Sequence, residues 1–125
     1  MEKLARTQTR FGESLRDRYL EVLKAGGHDY TSATKILVHQ IAIEGRVPFD
    51  AVTVSKEECA AGKVMSAKVA ADEWERCQAI LDELGMSFAH VNRMMAVATI
   101  KAGVIPFYPG IPGARHHHFR RQQQG

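Results

Sequence analysis

Arg6, Gln8 and Arg10 stand at alternate positions near the start of the chain, and Ser66 and Lys68 repeat that alternation in its middle. Alternate residues of an extended strand share a face, so each group places its longer polar side chains on one surface. That surface offers hydrogen bonding to flat polar edges: Arg and Lys donate to guanine O6 and N7, and Gln can pair with adenine through both amide atoms. Taken alone, an alternating polar strand is more commonly a solvated sheet edge. What decides between the two roles is the setting the strands share.

That setting is a repeat. Residues 6–49 align without a gap on residues 64–107, an offset of 58, with Arg18/Arg76, Leu23/Leu81, Gly27/Gly85, Gly45/Gly103, Pro48/Pro106 and Phe49/Phe107 identical. Other pairs keep their character: Arg10/Lys68, Phe11/Val69, Asp17/Glu75, Val22/Ile80, Tyr30/Phe88, Lys35/Arg93, Ile36/Met94, Leu37/Met95 and Val47/Ile105. The aligned glycines and the Pro-Phe pair punctuate both halves at the same places.

Each half reads as strand, helix, helix. Strands are predicted over 6–11 and 64–69, with Thr7, Thr9, Phe11 and Met65, Ala67, Val69 on the inner face. First helices follow over 13–25 and 72–84, with Leu15, Tyr19, Val22, Leu23 and Trp74, Cys77, Ile80, Leu81, Leu84 at helical spacing. Gly27 and Gly85 lie just past their ends. Asp29 and Ser87 are natural N-caps for second helices over 30–44 and 88–102. Their buried stripes are Tyr30, Ala33, Ile36, Leu37, Ile41 and Phe88, Val91, Met94, Met95, Ala98, and Met94-Met95 is read as core filling. Gly45 and Gly103 end these helices, and the hooks Val47-Pro48-Phe49 and Ile105-Pro106-Phe107 are expected to fold back over them. A three-element unit of this size has too little core to stand alone, so the two copies are expected to intertwine. Between them, Ser55-Lys-Glu-Glu58 suggests a capping box for a short connector helix.

The bulk properties fit a small soluble protein. The 125 residues are 45% hydrophobic with a formal net charge of +3, a mild tilt toward polyanionic partners. No apolar run approaches the roughly 20 residues of a membrane span, and the charged start followed by Thr7, Gln8 and Thr9 does not read as a signal peptide. A cytoplasmic location is expected. Cys59 and Cys77 lack a pairing pattern and read as small buried hydrophobes. No nucleophile–base pairing, Gly-rich phosphate loop or metal-ligand spacing is present, so the sequence predicts neither an enzyme nor a cofactor.

Strand, helix, Gly-x-Asp/Ser, helix and a closing Gly-x-(Val/Ile)-Pro-Phe resembles the ribbon-helix-helix superfamily. Ile41-Ala-Ile-Glu-Gly-Arg-Val-Pro-Phe-Asp50 looks like the end of the second helix in its RelB/DinJ antitoxin branch. The resemblance implies a mainly α fold with a short two-stranded antiparallel ribbon, β-α-α twice in one chain. Its units are 1–49 and 64–108, with a connector at 50–63 and a flexible basic tail at 109–125, and the fused pair is similar to TraY-type proteins. It also implies double-stranded DNA as partner, with the ribbon in the major groove. Arg6, Gln8, Arg10, Ser66 and Lys68 would then touch base edges, and because the strands differ, the site would be asymmetric.

The family clamps a phosphate at the second helix's N-terminus, which here falls on Ser87, Phe88 and Ala89. In the first half Asp29 departs from that pattern by placing a carboxylate there, with His28 beside it to offset the charge. Arg115, Arg120 and Arg121 in the tail would add nonspecific phosphate contacts. His116–His118 is not read as a metal site.

The expected role is a nucleoid-associated transcriptional repressor or autoregulator, with self-association of fused pairs along DNA a further expectation. A RelB/DinJ-type antitoxin neutralising a small ribonuclease toxin, and a TraY-like relaxosome accessory protein, are the alternatives. The 18 residues after Phe107 contain no acidic group, which argues against a segment for wrapping a basic toxin.

Overall fold

In the computed structural model, which describes residues 3–56 and 62–113, the two alternating segments pair as an antiparallel ribbon, β1 (Leu4–Gly12) and β2 (Gly62–Ala70). Thr7, Thr9, Phe11, Ala67 and Val69 turn inward and are buried. Both strands run past the expected 6–11 and 64–69, because the ladder pairs their ends, Leu4 with Ala70 and Gly12 with Gly62. At that last pair the backbones meet closely. A Cβ on Gly62 would fall 1.8 Å from the Phe11 carbonyl oxygen.

Four helices follow the expected order: α1 (Glu13–Ala25), α2 (Tyr30–Glu44), α3 (Ala71–Leu84) and α4 (Phe88–Ala102). Every element of the second half starts 58 residues after its counterpart. The turns between helices are built alike. Gly27 and Gly85 take φ of 82° and 71°, and the next N–H, of His28 or Met86, bonds back to Leu23 or Leu81 at 2.8 and 2.9 Å. This six-to-one closure needs a residue that tolerates left-handed φ. Asp29 Oδ1 then accepts from Ser32 N–H at 2.7 Å, and Ser87 Oγ from His90 N–H at 3.1 Å, which fixes where α2 and α4 begin.

The helices pack mainly across halves. α2 lies on β2 and α3, whereas α4 lies on β1 and α1, and helices of the same half touch little. One core results, from Phe11 and Leu15 through Leu37 and Ile41 to Val91 and Phe107. Phe11 meets the Tyr30 ring edge-on at 5.8 Å, and Trp74 meets Phe88 the same way at 4.8 Å. Such pairs add about 0.5–1.5 kcal/mol beyond the area they bury. Phe49 and Phe107, the hook aromatics, are both buried.

The stripes differ from expectation in two ways. Leu84, at the last position of α3, is 48% exposed, and Val22, Ile36, Trp74 and Ile80 are only half-buried. Conversely Thr34, Val38, Gln40, Asn92, Ala96, Val97 and Thr99 are buried although off the predicted stripes. Being covered by both a strand and a helix of the other half, α2 and α4 bury more than one stripe. The reading of 109–125 as a mobile tail also changes at its start. Gly110 N–H donates to Gln40 Oε1 at 2.9 Å and Gln40 Nε2 donates to the Ile111 carbonyl at 3.0 Å, so this stretch is held on α2. Cys77 is a buried free thiol. Cys59 and part of the expected connector capping box lie outside the described residues, and among those described no helix is long and apolar enough to cross a membrane.

Candidate nucleic-acid interface

The middle of the ribbon's outer face carries three rows of cross-strand neighbours, Arg6 with Lys68, Gln8 with Ser66, and Arg10 with Val64, between the end rows Leu4–Ala70 and Gly12–Gly62. All six residues are exposed. Rows two residues apart along a strand are separated by about 6.8 Å. The face therefore presents three cations, an amide, a hydroxyl and an isopropyl group, with no carboxylate in these rows. It joins all five residues expected from the sequence and adds one that was missed. Val64 sits 45% exposed beside Arg10, and its phase with Ser66 and Lys68 was the available signal. An aliphatic side chain among donors is suited to a thymine methyl.

Arg10 is the most constrained member. Its Nη1 donates to the Gly62 carbonyl at 3.2 Å across the ribbon, and its own carbonyl accepts from Arg93 Nε at 2.7 Å. Arg93, from α4, thus fastens the strand at the end that carries Arg10. The sequence marked it only as the basic counterpart of Lys35.

Behind the ribbon, Asn92 is completely buried and donates from Nδ2 to the Thr9 hydroxyl at 3.1 Å and to the Tyr30 hydroxyl at 3.0 Å. Thr9 lies between Gln8 and Arg10, so this bond fixes the strand segment that carries them. Burial raises the Tyr30 pKa, and its hydrogen bonds with Thr34, Asn92 and Thr9 partly offset the rise. The residues 58 positions from Thr9, Tyr30 and Asn92 are Ala67, Phe88 and Thr34, so the anchor has no equivalent in kind under β2. Nothing in the sequence pointed to Asn92, whose polarity reads as a surface position.

At the helix starts the geometry is mixed. Ser87 Oγ accepts from His90 N–H and keeps its own O–H to donate, and the Phe88 side chain is only 6% exposed, so the Ser87 hydroxyl and the backbone N–H groups of Phe88 and Ala89 are what α4 can offer an anion. His28 is half-buried, its Nδ1 lies 3.3 Å from the Ser32 hydroxyl, and its ring lines a cavity. It therefore stays beside the first turn of α2, next to Asp29. Arg115, Arg120, Arg121 and His116–His118 lie outside the described residues.

On the flank, His39 Nδ1 of α2 pairs with Glu73 Oε2 of α3 at 2.5 Å, joining the two halves. The Cys77 thiol is pushed up to about 12 by burial, which leaves it protonated at neutral pH. Among the described residues no group of three or more His, Cys, Asp or Glu could hold a metal ion. Comparison with known protein families, curated proteins and solved structures finds no match to this chain.

Proposed function

We propose that the chain binds double-stranded DNA as a single-chain ribbon-helix-helix pseudo-dimer, laying the β1–β2 ribbon in the major groove as a sequence-specific regulator. The observation that carries this reading is the strand register. Gln8 faces Ser66, the residue 58 positions later, so the ribbon pairs a residue with its own counterpart only at its midpoint. Two equivalent strands related by a two-fold axis would pair in this way. The exchange of helix contacts between halves supports the same view. A two-stranded ribbon fits a major groove of about 12 Å, and the three polar rows span a few base steps.

Within this reading Arg6, Gln8 and Arg10 read one half-site and Val64, Ser66 and Lys68 the other, while the first-turn N–H groups of α4 hold a phosphate. The half-sites differ because the strands differ. A selection of bound duplexes from a random pool, run at near-physiological salt with the native chain and a Gln8→Ala/Arg10→Ala variant, tests it. The expected result is an asymmetric motif whose β1 half is lost in the variant. A motif that does not change, or none at all, would overturn the assignment.

A further inference from the structure

The two strands of the ribbon are held differently from behind. On β1, the stretch from Gln8 to Arg10 has two ties to α4: Asn92 Nδ2 donates to the Thr9 hydroxyl at 3.1 Å, and Arg93 Nε to the Arg10 carbonyl at 2.7 Å. The inward residues there, Thr9 and Phe11, are out of water. The Arg10 side chain is itself fixed, because Nη1 donates to the Gly62 carbonyl at 3.2 Å. A guanidinium carries five N–H donors, so this bond leaves four for a ligand.

A shift of 58 positions removes each tie. Thr9 corresponds to Ala67, which has no hydroxyl. Asn92 corresponds to Thr34, whose hydroxyl donates to the Tyr30 carbonyl of its own helix at 2.8 Å. Arg93 corresponds to Lys35, which is exposed, and Arg10 to Lys68. Behind β2 the buried inward residues are Ala67 and Val69. Their apolar packing favours contact without direction, whereas the hydrogen bonds behind β1 fix where its atoms stand.

We infer that the two strands read DNA with unequal stringency: Gln8 and Arg10 demand their bases, Ser66 and Lys68 accept substitutes, and Asn92 and Arg93 are the positioning residues that set the difference. The inference rests on the DNA reading proposed above. Guanine shows O6 and N7 in the major groove, whereas adenine shows N7 beside an amino group, so a donor pair held in place tells them apart. An ammonium on a flexible stem settles for N7 of either purine or for a phosphate oxygen. A side chain whose backbone is tied down cannot follow a displaced acceptor. The partner is therefore a set of duplexes that share the bases under Gln8 and Arg10 and vary under Ser66 and Lys68.

The test measures affinities of the full-length chain for every single-base change of its selected duplex, at one salt concentration. Arg10→Ala and Lys68→Ala first mark the base position that each residue contacts. In the native chain a wrong base should cost about tenfold or more at the Arg10 position and about threefold or less at the Lys68 position. Arg93→Ala should bring the Arg10 ratio down to about threefold while the Lys68 ratio stays. Arg93→Lys, which can still donate to the Arg10 carbonyl, should restore much of it. Thr9→Val keeps the branched shape, should lower the Arg10 ratio in the same way, and carries the test if Arg93→Ala does not fold. Lys68→Arg should remain tolerant, because its strand lacks the ties. Equal ratios at the two positions in the native chain overturn the inference and leave the DNA reading standing. A strict Lys68→Arg, or an Arg93→Ala that lowers both ratios alike or neither, overturns the positioning role. Absence of DNA binding by the native chain overturns the DNA reading, and the inference with it.

Discussion

Asn92 on the last helix donates to the Thr9 hydroxyl on the first strand, 3.1 Å away and wholly out of water. Its other acceptor is the Tyr30 hydroxyl at 3.0 Å, so one amide ties β1, α2 and α4 together. Replacing it leaves two buried hydroxyls short of a partner. Asn92→Ala should therefore cost about 2–4 kcal/mol in urea unfolding, and Tyr30→Phe about 1 kcal/mol. A double-mutant cycle of Asn92→Ala with Thr9→Val measures the shared part. A coupling near zero would mean the bond contributes nothing beyond packing.

The Tyr19 hydroxyl behaves oppositely, being buried without a partner. Tyr19→Phe is expected to be neutral or stabilising by up to about 1 kcal/mol. The contrast between Tyr19→Phe and Tyr30→Phe, read from urea midpoints, checks both hydrogen-bond assignments at once.

Gly62 lies against the Phe11 carbonyl with no room for a Cβ. Gly62→Ala must push the ribbon ends apart, losing the Gly12–Gly62 pairing and the Arg10 bond to the Gly62 carbonyl. A loss of about 2 kcal/mol or more is expected, with faster amide exchange at residues 62–64. Gly26→Ala, where an added Cβ makes only ordinary contacts, is the tolerated control.

For DNA, Arg10→Ala should cost about 1–3 kcal/mol of discrimination at one base position. Arg93→Ala removes the strand's fastening but no base contact, so specificity at that position should blur while the preferred base stays the same. Arg120→Ala/Arg121→Ala should weaken all duplexes nearly equally and lower the salt slope. Binding to a randomised site, measured at two salt concentrations, separates the three.

Alkaline pH should loosen the fold. Burial raises the Cys77 pKa from 9.0 to about 12 and the Tyr30 pKa above 10.0. The unfolded chain therefore releases these protons first. Stability is full below pH 9 and falls as pH rises toward 12, at up to about 1.4 kcal/mol per unit for each group. Urea midpoints between pH 8 and 10.5 should show the decline. Cys77→Ala should flatten its first part.

Much of the fold was legible because the local signals agree. Asp29 and Ser87 with Gly45 and Gly103 bracket α2 and α4 at the predicted residues, and the alternation of Arg6, Gln8, Arg10 and of Ser66, Lys68 placed the ribbon's outer face. What escaped depends on contacts between halves. Arg93 reaches a carbonyl on β1, Asn92 reaches Thr9, and Gln40 is buried under residues 110–111, all bonds between segments distant in the chain. His28 was assigned from its position beside a helix start, and its Nδ1 lies 3.3 Å from the Ser32 hydroxyl there, a local pairing that the sequence reading did not include. Leu84 fits the helical period and still faces water, because the period says nothing about where the covering layer ends.

Since α2 rests on β2 and α3, and α4 on β1 and α1, the order of synthesis constrains assembly. When α2 leaves the ribosome its partners have not been made, and at ordinary translation rates they follow several seconds later. During that interval the apolar faces of α1 and α2 have only β1 and each other for cover within their own chain. Folding must wait for the second half. A neighbouring nascent chain halted after its first half would present the same surfaces, so crowded synthesis on one messenger lets pairing between chains compete with closure within one. The connector at 50–61 counters this by keeping the right partner closer than any neighbour, making it a timing device as much as a linker.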